Sequence, residues 1–269
     1  MPLLFIFFFL KAFAITSFHQ AMDCGYDPLI FRNAAKFEKF YQAYNFTVVE
    51  KSKSPLIPKI IHQIWIGGPV PDRFVRLMKT WKELHPSWEY KLWTDADLQD
   101  FPFLDRRAFD RAINIGAKAD ILRYDILFHF GGVYVDCDFE CVKPLDPFIY
   151  AHEFFVGIAG FDYVGNAIIG ASKGLVIFKK LATLINSWDD NQLKDPWVHT
   201  GPLTFTRQVY SYIKERPSKR AVYPTKFFHP FPNIYRHYYW NGQIERSFIE
   251  SFFIPETFAV HHWAESWAN

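Results

Sequence analysis

From residue 57 onward the apolar and polar positions fall into a readable order. Ile60 to Ile66 is a run of strand length, rich in β-branched residues, and Gly67-Gly68-Pro69 closes it. Phe74, Leu77, Met78, Trp81 and Leu84 recur at helical spacing, which predicts an amphipathic helix over 72–84. Trp88 to Trp93 reads as a second strand. Thr94, with Asp97 three residues later, has the form of a capping box and predicts the start of another helix. A helix over 117–130 follows, with Gly131 suited to the position just beyond its end, and then a strand over 133–138. Further strands are predicted near 154–158 and 166–170, and helices over 173–187 and 203–214. The order of strands and helices predicts an α/β layer structure with a mostly parallel sheet. In such sheets ligands bind beyond the carboxyl ends of the strands, where Trp65 and Asp136 would sit.

Both ends of this region read differently. Residues 1–18 hold two apolar runs, Leu3–Leu10 and Ala12–Phe18, split by Lys11. Together they are short of the ~20 apolar residues of a spanning helix. They read as a signal peptide or short anchor, or as a hydrophobic helix packed on the domain. Secretory or membrane-associated localisation is the favoured expectation, with the cytoplasm the alternative. Residues 19–56 read as a helical lead-in and linker, and 57–269 as the main domain. Asn45-Phe46-Thr47 has the form of a glycosylation sequon. Residues 223–253 are dense in Phe, Tyr, Pro and His. They predict either a lid or acceptor wall, or an aromatic-packed excursion.

Composition narrows the function. The 269 residues carry a net charge of +2, so no broad field favours nucleic acid. Aromatic residues make up 20%, with 30 Phe and 9 Trp, which fill cores and also stack on bases and sugars. Three cysteines cannot all pair within one chain, and Cys137 and Cys141 have no second pair or nearby His to suggest zinc. Buried thiols are the favoured reading.

The chemistry concentrates in Gly131-Gly132-Val133-Tyr134-Val135-Asp136-Cys137-Asp138. On a regular strand Asp136 and Asp138 share a face. Two adjacent carboxylates repel unless a cation lies between them, and Mg²⁺ or Mn²⁺ takes one or two carboxylates plus phosphate oxygens. Asp120 and Arg123 lie three apart on the preceding helix and so share a face. They are either an ordinary surface ion pair or a sugar- and phosphate-binding pair in the same crevice. Trp65 is either a core indole or a stacking surface for a nucleobase. His62 has the opposite strand parity and reads as a satisfied polar residue. The tail His261-His262-Trp263-Ala264-Glu265-Ser266-Trp267 is unusual for a frayed end. One of its imidazoles could complete a metal shell.

Taken in order, these pieces resemble the Asp-x-Asp glycosyltransferases of family 32, which include fungal initiating and sphingolipid mannosyltransferases. The glucosylating domains of large clostridial toxins are a more distant likeness. The matching residues are Ile57 to Gly67, Ala119 to Tyr124, Gly131 to Asp138, Thr200-Gly201-Pro202, and His262-Trp263 with Ser266-Trp267. The resemblance implies a GT-A fold, a UDP- or GDP-sugar donor, bound Mn²⁺ or Mg²⁺, and transfer with retention. It places Trp65 on the base, and Asp120 and Arg123 on the donor sugar. Tyr134 and Asp136 fall at the ribose or metal, Asp138 and His262 on the metal, and Ser266 and Trp267 at the diphosphate, with Asn166 near the sugar. A glycan or lipid acceptor is expected. The chain lacks the large helical insertions of the toxins, which makes a protein acceptor less expected. Two other readings stay open: a non-catalytic nucleotide-sugar or carbohydrate-binding module, and an Asp-x-Asp phosphohydrolase. The latter is disfavoured because the pair is mid-chain and Phe139-Glu140 follows it.

Overall fold

The computed structural model describes residues 18–22, 52–159, 163–216 and 219–264. Most of the lead-in, the sequon at 45–47 and nearly all of 1–18 lie outside them. Phe18–Met22 is a short helix, and its Phe18, Ala21 and Met22 are buried in the main core. Among the described residues no helix is long and apolar enough to cross a membrane.

Strand β1 (Ile60–Ile64) is followed by helix α1 (Asp72–Leu84) and strand β2 (Glu89–Trp93). Helix α2 (Ile115–Phe130) then leads into β3 (Gly132–Val135) and β4 (Phe139–Cys141). Next come β5 (Phe154–Ile158), β6 (Val164–Ala171), helix α3 (Val176–Asn186) and helix α4 (Pro202–Glu215). The last strands are β7 (Arg220–Tyr223) and β8 (Ala259–His261). Six strands form one sheet in the order β2-β1-β3-β6-β5-β7, while β4 and β8 form a separate pair. Three pairings in the large sheet are parallel; β6 runs antiparallel to β3 and β5. This is a mostly parallel α/β sheet flanked by helices, as the order of elements predicts.

Local chemistry explains the boundaries. Asn114 caps α2, its side chain accepting from the N–H groups of Gly116 at 2.7 Å and Ala117 at 3.3 Å, so the helix begins two residues earlier than its periodicity suggests. Gly131 ends α2 at φ 64°. Gly132, at φ 97°, lets β3 lie against β1; a Cβ there would sit 2.7 Å from the Ile60 carbonyl oxygen. The capping box at Thr94 forms, with the Thr94 N–H donating to the Asp97 carboxylate at 2.8 Å, yet it opens only the single 3-10 turn Asp95–Asp97. The strand expected over 133–138 ends at Val135, because the next residues turn out of the sheet.

Helix α2 has little amphipathic character. Its residues from Asp120 to Leu127 are all buried, as befits a helix covered on every side. It packs on α3, while α4 lies along β6 and α1 packs on β4. Asp125 of α2 is among the buried residues, and one of its oxygens accepts from the Leu104 N–H at 3.3 Å. Burial pushes its carboxyl from 3.8 up to about 7. A carboxyl raised on folding contributes stability below its unfolded value, and that stability is lost as pH rises to the folded value. Asp125→Asn is therefore expected to gain on wild type by up to roughly 4 kcal/mol between pH 4 and 7, with no further change above. Urea unfolding across that range checks it; a stability difference independent of pH would contradict it.

The aromatic segment is a packed excursion. Phe231, Ile249, Val260 and Trp263 form a second apolar cluster, with Tyr235, Tyr239 and Phe252 against it. It supports β8 and the tail, and Asn233 reaches the edge of the cavity described next.

Candidate active site

Beyond the carboxyl ends of β1 and β3 lies a cavity of about 600 Å³. Trp65, Asp120, Arg123, Tyr134, Asp136, Asp138, Asn166 and His261 all line it. After Val135 the chain turns: the Asp136 N–H donates to the Ala167 carbonyl at 2.8 Å, and the Phe139 N–H to the Asp136 carbonyl at 3.1 Å. Phe139 then opens β4, opposite His261 of β8. The Asp136–Asp138 turn is thus clasped between the main sheet and the C-terminal pair.

Strand parity decides which imidazole meets the carboxylates. Phe139 and His261 share a face, and their rings stack with centroids 4.4 Å apart. That stack points the His261 Nε2 at the Asp138 carboxylate, 3.2 Å away. His262 faces the other way, with its Nε2 3.1 Å from Glu140. The resemblance placed His262 beside the pair; the structure places His261 there and gives His262 to the Glu140–Arg246 ion pair. The tail also turns its backbone inward. Trp263 adopts φ 54°, a costly conformation for a bulky residue, and the Ala264 N–H then donates to Asp138 at 2.8 Å.

Asp120 and Arg123 are not a surface pair. Both are buried, and the Arg123 guanidinium lies 3.2 Å from Asp120 and 3.3 Å from Asp136. Arg123 also donates to the carbonyls of Asn166 at 2.7 Å and Ala119 at 3.3 Å, and it covers the Tyr134 ring at 4.6 Å. Its N–H groups are thus largely engaged by the protein. Asp120 accepts from the Asn166 amide at 2.7 Å and the Thr200 hydroxyl at 2.8 Å. Gly201 lets that loop approach, since a Cβ there would lie 3.0 Å from the Asp120 carboxylate. The Tyr134 hydroxyl is spent on Asp136 at 2.5 Å. Trp65 is half-buried, tilted against Phe74 with centroids 4.9 Å apart, and its N–H donates to the Pro69 carbonyl at 3.1 Å. His62 is satisfied at both nitrogens, by the Gly131 carbonyl at 2.8 Å and the Trp93 indole at 3.2 Å. Cys137 and Cys141 are buried free thiols. Ser266 and Trp267 lie outside the described residues.

The electrostatics follow from burial. Burial pushes Asp120 up to about 6 against the pull of Arg123. Asp136 is raised by burial and by the neighbouring Asp138 charge, again against Arg123. Asp138 is lowered: burial opposes this, but the interaction with His261 and the Ala264 N–H outweigh it. Asp136, Asp138 and His261 each offer one ligand atom, and these atoms lie within 4.8 Å of one another. Two partly buried carboxylates and an imidazole nitrogen, its ring held by stacking, fit a divalent ion such as Mn²⁺.

Thr200 was left without a role of its own, and of the two tail imidazoles the resemblance singled out His262 rather than His261. Thr200 was visible only as part of Thr200-Gly201-Pro202. For His261, the signal was an adjacent pair of histidines with nothing to set strand parity.

Comparison with known proteins bears on the fold and on the segment that carries Asp136 and Asp138. Residues 71–155 match the family model described as a glycosyltransferase sugar-binding region containing a DXD motif. Inositol phosphoceramide mannosyltransferase 3 of Schizosaccharomyces pombe is 29% identical over 244 residues, covering 84% of this chain and 65% of that protein. Mannosyl phosphorylinositol ceramide synthase CSH1 of Saccharomyces cerevisiae is 40% identical over 155 residues, covering 55% of this chain and 40% of that protein. The chain therefore spans less than two thirds of the length of these relatives. The solved structure of PaToxG Glycosyltransferase superposes with a TM-score of 0.52 at 20% identity, over 68% of this chain and 79% of that one, and shows the shared fold.

The fold is of the GT-A type, and residues 71–155 carry the match to a glycosyltransferase sugar-binding region. The order of the chain's motifs resembles that of family 32.

Proposed function

We propose that the chain transfers a hexose, mannose first among candidates, from a nucleoside-diphosphate-sugar to a hydroxyl on a phosphoinositol-bearing sphingolipid. Transfer retains the anomeric configuration and depends on Mn²⁺ or Mg²⁺. The observation that carries the proposal is the meeting of Asp136, Asp138 and His261 beside the buried Arg123 in one cavity. Its volume of about 600 Å³ suits a ligand of donor size. The sugar and the headgroup come from the names of the fungal relatives. The same relatives support a place in the secretory pathway.

Asp136, Asp138 and His261 would hold the ion; bound there, it stabilises charge on the leaving diphosphate. Arg123 keeps Asp120 and Asp136 in place as a fixed positive charge between them. Asp120 has accepted two hydrogen bonds and retains lone pairs for a sugar hydroxyl. Asn166 and Thr200 orient it. The half-exposed Trp65 offers a face for the nucleobase. Ser266 and Trp267 remain assigned to the diphosphate by resemblance. No residue is assigned as a covalent nucleophile, and the donor phosphate is proposed as the base.

The test is a donor screen with the full chain. UDP- and GDP-sugars are supplied with Mn²⁺, Mg²⁺ or a chelator, with and without a phosphoinositol sphingolipid, and released nucleoside diphosphate is scored. Metal-dependent release from one donor, stimulated by the lipid, is expected. Nucleotide-sugar binding without turnover under every condition would instead establish a binding module.

A further inference from the structure

Exposed apolar side chains line the cavity or neighbour its lining residues in the chain. Ile115, in the first turn of α2, and Trp197 both line the cavity, and each is 41% exposed. Ile113, two residues before Ile115, is 81% exposed, and Ile234, beside the lining residue Asn233, is 57% exposed. Single apolar residues on a surface need no explanation. These four come from three separate stretches of chain, and each stretch contributes a residue to the cavity lining. The stretches 111–118, 190–197 and 233–236 also carry Arg111, Lys118, Lys194 and Arg236 against Asp190 and Asp195, a surplus of two positive charges from four cations and two anions. Apolar tips flanked by cations match the boundary of an anionic bilayer, and an indole is suited to that depth.

We infer that this rim is a membrane-docking surface, with Ile113, Ile115, Trp197 and Ile234 entering the lipid surface and the flanking cations meeting anionic headgroups. The inference rests on the lipid acceptor proposed above. A lipid headgroup must reach the cavity while its acyl chains stay in the bilayer, and a mouth laid on the bilayer satisfies both needs. The exposed apolar residues thus deepen the reading of the site from a lipid acceptor to one presented by the membrane.

Ile113→Cys and Ile234→Cys, each made in the full chain and labelled with an environment-sensitive fluorophore, test the docking directly. The two described native thiols are buried, and the unsubstituted chain serves as the blank. Lys173→Cys is the control: Lys173 is exposed and lies beside Gly131, at the end of the sheet away from the cavity. Vesicles of phosphatidylcholine with phosphatidylinositol are expected to blue-shift the labels at 113 and 234, and not the label at 173. No shift at 113 and 234, or an equal shift at 173, overturns the inference, whether or not the protein turns over a donor. In the donor assay, the Ile113→Ser, Ile234→Ser double variant is expected to lose roughly tenfold or more in transfer to a bilayer-embedded acceptor while acceptor-free donor hydrolysis is unchanged. Undiminished bilayer transfer would also overturn it. Absence of turnover in wild type, with the shifts present, would sink the proposed function and leave the docking surface standing.

Discussion

Asp138→Asn is expected to reduce transfer roughly 10³-fold and to remove its dependence on divalent ion. The loss of several kcal/mol of charge stabilisation at the leaving group corresponds to a factor of that size. The substitution should leave the fold intact, because an asparagine oxygen can still accept from the Ala264 N–H that Asp138 holds at 2.8 Å. Calorimetric titration with Mn²⁺ provides a second readout, with affinity expected to fall by about 100-fold or more, beyond the usual effect of an outer-shell change. His261→Ala should weaken Mn²⁺ binding in the same titration. His262→Ala should instead loosen the contact with Glu140 and lower stability. Full activity and unchanged Mn²⁺ affinity in Asp138→Asn would refute the metal role, and a larger affinity loss in His262→Ala than in His261→Ala would refute the assignment by parity.

Arg123→Met is expected to cost about 3–5 kcal/mol of folding stability at neutral pH, because it leaves the buried Asp120 and the half-buried Asp136 without their cation. Arg123 lies between Asp120 and Asp136 and is itself buried. The sign of the pH effect follows from Asp120. Its carboxyl stands at about 6 with Arg123 pulling it down, so removing Arg123 moves it higher. A raised carboxyl contributes stability at low pH and loses it as pH rises through its folded value. The deficit of the variant should therefore be smaller at pH 5 than at pH 8. Urea denaturation at both values measures it. Adding Asp120→Asn to Arg123→Met should recover part of the loss, since one of the stranded charges is gone. A deficit equal at both pH values, or under about 1 kcal/mol, would show that the guanidinium does not carry the pair.

How much of this was legible differs from element to element. The helix over 72–84 and the strand over 154–158 follow from spacing alone, because each presents a periodic apolar face or a short apolar run. The start of α2 was displaced by Asn114, a side-chain cap that apolar periodicity does not register. Strands β4, β7 and β8 have three or four residues each, too few for a periodic signal. The site divides in the same way. Asp136, Asp138 and the pairing of Asp120 with Arg123 are visible as spacings. The turn that carries the two carboxylates, and the choice between His261 and His262, are not.

An α/β order, a glycine pair leading into two nearby carboxylates, a helical Asp-Arg pair and an aromatic tail with two histidines are all written along the chain. These depend on neighbours in the chain, where helix period, strand parity and the special freedom of glycine act. Tertiary structure alone decided that α2 is covered on all sides, which turns an Asp-Arg spacing into a buried charge network. It alone brought Thr200 to Asp120, across 80 residues, and His261 to Asp138, across 123. The physical reason is that burial and long-range register are set by which surfaces meet. The face presented by β8 depends on its pairing with β4, and that pairing depends on the packing of the whole domain.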